Sequence, residues 1–349
     1  MTDLDQRISD VLRERAEGET DTHRLLRASR ALGRRRQVRR RVAAGTALAL
    51  VGVVAFAGVN ASDGGRLTGR LPWTAATPTA PAPVPPRADG VPGAAADPTR
   101  VGTDPRVLHF GVDPARARYL GWGVDAGQVE SIRFEAAGGR RVLVEVARSE
   151  TTFRNLGIEA FQEGVPRPAA FDGSIQRVAA GNGNFGFVTW WQPAAGLFAR
   201  ASMLGGDAIA LPRYLAALRW DEARRCAAPV RLDALPAGAT INSCQVDLSS
   251  YPELITAQLS VGGNEEQYMA VRYRYAVQAG TSNKSNRTVG GRPAYVAPNG
   301  WTIDLVGIPK VELTATFGWP GQGFTEADAG ALLGGARLAE DPTRLQTWP

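Results

Sequence analysis

Six arginines, Arg34, Arg35, Arg36, Arg39, Arg40 and Arg41, stand directly before an uncharged, almost wholly apolar stretch from Val42 to Val59. Positive charge on one flank of an apolar segment fixes its orientation, because arginine-rich flanks stay on the cytoplasmic side. Wound into a helix, residues 42–59 would span about 27 Å, close to the hydrocarbon thickness of a thin bilayer. The junction therefore predicts one membrane helix, with residues 1–41 cytoplasmic and the rest of the chain extracytoplasmic. A cleaved export signal is the competing expectation, since Val59-Asn60-Ala61 before Ser62 has the small residues of a cleavage site. The long arginine-rich segment ahead of the stretch argues against cleavage at Ala61. No cysteine follows the stretch closely, which excludes a lipid-anchored cysteine there.

The net charge of +6 divides at this junction. Residues 1–41 hold twelve arginines against seven acids, leaving 28 basic and 27 acidic residues in the remainder. The basicity is thus a membrane signal, suited to anionic lipid headgroups. A nucleic-acid partner would need a basic face on a folded domain, and the chain offers none.

Ahead of the junction, Thr2-Asp3-Leu4-Asp5 opens a short helix with Leu4, Ile8, Val11 and Leu12 on one face. That stripe, residues 4–12, could dock a cytoplasmic protein or lie as a marginal helix on the membrane surface. Behind the junction, residues 60–105 turn to Pro, Ala, Thr and Gly, a composition that predicts a disordered tether.

Residues 106–349 suffice for two domains of ordinary size, and their sequence repeats in order. Two alternating strands flank a Gly-Gly turn at Ser131–Val146 and again at Thr256–Tyr275. A Val followed by small residues and Gly comes next, at Val178–Gly181 and at Val289–Gly291. Each half then has a Trp-bearing strand, a further strand, and a Leu-rich helix, Leu211–Arg219 and Glu326–Arg337, the second capped by Thr325-Glu326-Ala327-Asp328. The expected fold is α+β: tandem antiparallel sheets, each with a C-terminal helix, over residues 106–225 and 226–349. A groove between two such sheets would be a natural binding site.

Cys226 and Cys244 both fall in the extracytoplasmic part, with a turn at Leu235–Gly238 between them, so a disulfide is expected. With one histidine beyond the membrane stretch, His109, neither a metal site nor a histidine-based hydrolase has a ready ligand or base. Gly181-Asn182-Gly183-Asn184-Phe185-Gly186 matches a phosphate-loop pattern formally, but a strand-like segment follows it where a helix is required. Asp221-Glu222 and Glu265-Glu266 are adjacent in sequence and read as solvated turns. The expectation is no enzyme, no cofactor and no metal. Trp190, Trp191, Trp301 and Trp319, together with Phe317, Tyr268, Tyr273 and Tyr275, are the candidate ligand surface, for a cell-wall glycan, a peptide or an envelope protein; the competing role is sheet core. Asn283-Lys284-Ser285 and Asn286-Arg287-Thr288 read as a polar loop.

The mixed-charge N-terminus, single Ala/Val-rich helix, Pro/Ala/Thr tether and Gly-rich, Trp-bearing modules together resemble actinobacterial single-pass envelope proteins with anti-sigma-factor-like architecture. A shortage of lysine, two of forty basic residues, fits the GC-rich genomes of that group. The resemblance implies an extracytoplasmic module without assigning it a ligand. The zinc-binding His-x-x-x-Cys-x-x-Cys signature of many anti-sigma domains is absent, since residues 1–41 contain no Cys. Three functions follow in order: a tethered, non-enzymatic binding or sensing protein, a transmembrane regulator acting through its cytoplasmic helix, and an extracellular hydrolase.

Overall fold

A computed structural model describes residues 83–155, 170–180, 183–262, 267–281, 284–317 and 323–349. The arginine cluster, the apolar stretch 42–59, the stripe at residues 4–12, residues 60–82, Gly181, Asn182, Glu265, Glu266, Asn283 and Trp319 lie outside these residues. Among the described residues no helix is long and apolar enough to cross a membrane.

The fold is mostly antiparallel sheet. Strands β1 (Ala117–Asp125), β2 (Val129–Ala136) and β3 (Arg140–Ala147) form a meander, followed by helix α1 (Glu150–Asn155). Strands β4 (Asp172–Ala179), β5 (Phe185–Ala194) and β6 (Leu197–Leu204) form a second meander, followed by α2 (Ala210–Leu215). The remaining chain supplies β7 (Thr240–Ser250), β8 (Leu254–Gly262) and β9 (Tyr268–Ala276), then β10 (Arg287–Val289), β11 (Arg292–Val296), β12 (Thr302–Leu305) and β13 (Val311–Thr316), then α3 (Glu326–Gly334).

All thirteen strands belong to one sheet, ordered β10-β11-β12-β13-β9-β8-β7-β1-β2-β3-β6-β5-β4. Counted outward from the β1–β7 pair, the chain order on one side is 1-2-3-6-5-4 and on the other 7-8-9-13-12-11-10. This corrects the expectation of two separate sheets with a groove between them. The half-sheets join edge to edge, Trp122 opposite Val246 and Cys244 opposite Val124. Joining satisfies backbone groups that two free edges would leave unpaired. The salt bridge Arg133 Nη1 to Asp247 Oδ2, 2.7 Å, reaches over the intervening Gly121 and ties the halves on the polar face.

Alternation along the strands sorts the side chains. Trp122, Val124, Ile132, Phe134, Val144, Val246, Ala257, Tyr273 and Leu313 fill one core that runs continuously through both halves. The C-terminal segment covers its middle, with Trp348 tilted on Trp122 at 6.2 Å between ring centroids. A smaller cluster on the opposite face gathers Val129, Val188 and Trp190 under Phe153 of α1.

Three further expectations change. Residues 83–105, assigned by composition to the tether, are folded: Ala94 and Val101 are buried. Ala88 N donates to Ala223 O, Ala95 N to Trp220 O, and Arg225 N to Pro86 O. Proline content misleads here because the partners come from residues 220–226, far along the chain. The closing helices are also shorter than the Leu-rich runs suggest. Past α2 and α3 the chain forms the strands Leu218–Arg219 and Ala336–Leu338, which pair with Gly111–Val112 and Val230–Leu232. The Val-Gly turns, too, sit at different places in the sheet: Ala179 and Phe185 pair where β4 meets β5, whereas Val289-Gly290-Gly291 joins β10 to the extra strand β11.

Candidate functional site

The site is built on the free edge of the first half. Trp190 and Trp191 are adjacent on β5 and so point to opposite faces. Trp190 is buried against Val188 and Phe153, which assigns it to the core and removes it from the expected ligand surface. Trp191 is half-buried on the face that carries α2. There it meets Trp220 edge-on, with ring centroids 6.4 Å apart at 76°. Trp220 is in turn stacked on the buried Phe110, 5.4 Å between centroids at 22°. The two indoles, with Ile175 of β4, Leu215 of α2 and Leu218, line an open cleft of about 380 Å³. Thr189 stands at its floor and donates its hydroxyl hydrogen to Gly173 O at 3.0 Å. The lining residues carry no ionisable group, so the cleft offers dispersion and ring stacking in place of charge.

A second concavity of about 580 Å³ lies between α3 and strands β10 and β12. Small residues, Gly290, Gly330 and Gly334, form much of its wall. Gly290 has φ +53°, and a Cβ there would stand 2.6 Å from Gly334 Cα, so only glycine lets helix and turn meet. At the mouth Arg287 bonds Glu326 at 3.0 Å, with both side chains about half exposed.

The other expected residues are dispersed. Trp301 is 39% exposed on the turn before β12, in the opposite half from Trp191. Tyr273 and Phe317 are in the core, and Tyr268 is half-buried on the polar face. Cys226 and Cys244 form the disulfide, joining the β7 strand to the segment that precedes it. Asn286 clamps Val296, donating from Nδ2 to its carbonyl and accepting its amide at Oδ1.

Several of the buried ionisable groups have structural partners. His109 Nδ1 lies 2.6 Å from Glu130 Oε1, and the same carboxylate accepts the amides of Gly102 and His109. Both side chains are buried, so the pair fastens the 102–109 loop to β2. Glu222 accepts from Arg224 at 2.7 Å and 3.0 Å. Glu145 and Arg200 form a bidentate pair at 2.7 Å and 2.9 Å under the Phe153 ring. Among the described residues no three His, Cys, Asp or Glu side chains cluster as metal ligands.

Trp220 and the Glu145–Arg200 pair escaped the sequence reading. Trp220 follows a short helix and has no periodic neighbour, and its only signal is chemical, a large aromatic where the chain leaves the Leu-rich run. Compared with known protein families, with characterised proteins and with solved structures, the chain matches none.

Proposed function

We propose that this chain is a single-pass, membrane-anchored envelope protein whose extracytoplasmic module binds a neutral ligand, a wall glycan or a peptide, in the Trp191–Trp220 cleft. The observation that carries the reading is the cleft itself: two half-buried indoles and no ionisable lining. Aromatic surface of this kind is normally covered in a folded core, and where it stays accessible it marks recognition. The arginine–apolar junction supports the anchor, and the cystine supports an oxidising compartment.

The strand order supports a finer reading, two copies of one unit, each closing with a helix over its outer strands. In that reading α2 corresponds to α3 and the two concavities are counterparts. The aromatic lining of the first and the glycine lining of the second mark them as diverged.

The test is binding of full-length protein, purified in detergent, to an isolated cell-wall fraction. Saturable binding is expected, weakened at least about fivefold by Trp191→Ala or Trp220→Ala, the loss of one ring contact and its area. Trp301→Ala, outside the cleft, should leave it unchanged. Equal binding by all three variants would exclude the cleft.

A further inference from the structure

Five buried side-chain atoms among the described residues have no hydrogen-bond partner: Asp125 Oδ2, Ser243 Oγ, Gln245 Nε2, Trp190 Nε1 and Tyr273 Oη. Three of the five meet at one place, the seam between β1 and β7. Asp125 pairs with Ser243 across that seam, and Gln245 pairs with Gly123. Alternation puts these side chains on the same sheet face. Their exposures are 6% for Asp125, 2% for Ser243 and 7% for Gln245, so bulk solvent does not serve them. Gly123 makes room, since a Cβ there would collide with the Gln245 amide. Ser260, opposite Ser243 on β8, lies on the same face, its hydroxyl 3.3 Å from that of Tyr268.

The three atoms form a complementary set: an amide donor, a hydroxyl that both donates and accepts, and a carboxyl oxygen. Buried polar groups in folded proteins are almost always bonded, and where protein atoms do not reach them an ordered water does. We propose that the seam is a hydrated proton-binding site, in which ordered water bridges Asp125, Ser243 and Gln245 and Asp125 takes up a proton as the two half-sheets join.

Burial lifts the Asp125 carboxyl to about 7, and no cation offsets it. On this face β2, β7 and β8 present Ser131, Ser243, Gln245, Gln258 and Ser260 around Asp125, with two charge-neutral pairs farther along: Arg133 with Asp247 on β2 and β7, and Glu145 with Arg200 on β3 and β6. From β9 comes Tyr268, whose phenol burial raises and which feels the Asp125 charge, with Arg272 beyond it. The His109–Glu130 pair belongs to the other side of β2 and is self-contained. A carboxyl raised in the folded state holds a proton that the unfolded chain has released. Its contribution to stability is therefore full below about pH 4, falls as pH rises toward about 7, and levels off above. Acid conditions tighten the junction between the half-sheets, and neutral to alkaline conditions loosen it.

The experiment is urea unfolding of the full-length protein in detergent from pH 4 to 8.5. Asp125→Asn keeps the size and a hydrogen-bonding head but cannot titrate. Its midpoint should rise relative to the unmodified protein as pH increases through the window, and a difference that does not change with pH would overturn the proton site. Ser243→Ala separates a wet seam from a dry one. Deleting a hydroxyl that bonds water lowers the midpoint, whereas deleting an unserved one raises it or leaves it unchanged, and either of the latter would overturn the hydrated site. A midpoint that rises with calcium or sodium at fixed ionic strength would assign the seam to a cation and overturn the proposal.

Discussion

At the residue scale, neighbours in sequence take opposite roles. Trp190 and Trp191 are both strand aromatics, and only the sheet's covering decides that one fills a core and the other lines a cleft. Alternation was legible in the sequence, but which face stays open depends on α1 and α2, whose positions are set by contacts distant along the chain. Glu145 and Arg200 make the same point, because their pairing requires β3 to lie beside β6. The pair is buried, 6% exposed at Glu145 and 1% at Arg200, and removing the carboxylate takes away the charge that the two hydrogen bonds to Arg200 balance. Glu145→Gln is expected to cost about 3–5 kcal/mol, read as a lowered urea midpoint. A loss below about 1 kcal/mol would mean that solvent reaches Arg200.

At the element scale, local signals were read well wherever they were complete within a few residues. Thr325 and Asp328 form the expected capping box on α3, with Asp328 N donating to Thr325 Oγ1 at 3.2 Å and Thr325 N to Asp328 Oδ2 at 2.9 Å. Thr325→Ala should destabilise by about 1 kcal/mol, with Thr325→Ser close to neutral, as measured by thermal unfolding. The Gly290–Gly334 approach leads to a sharper expectation. Gly290→Ala must part α3 from the β10–β11 turn and should cost about 1–3 kcal/mol, while Gly291→Ala meets no neighbouring atom and pays only for its backbone conformation. Equal effects at the two positions would show that helix and turn are not in contact. The helix lengths and the folded state of residues 83–105 were not legible. Both depend on two- and three-residue strand pairings with distant segments, such as Val107–Leu108 with Arg224–Arg225, too short to carry a period.

At the scale of the whole molecule, the antiparallel strand pairs could be read from alternating hydrophobicity and Gly-rich turns, but their joining into one sheet could not. A strand's pattern reports which face is apolar and is silent on which edge is paired. The join makes one core of two halves, so strain introduced in either should be felt as one unfolding event. The cystine ties the β7 strand to the connector between the halves, at a sequence separation of 18. Reduction, or Cys226→Ser with Cys244→Ser, is expected to lower stability by about 3 kcal/mol, seen as a shift of the urea midpoint with and without reductant. The aromatic cleft acquires its proposed role only if this module faces the exterior. The most direct measurement is protease accessibility of a C-terminally tagged copy in intact protoplasts, with the tagged species sized in membrane and medium. The account predicts a full-length, membrane-bound product that protease removes without lysis; a protected tag would contradict it, and a shortened product in the medium would replace the anchor with a cleaved export signal.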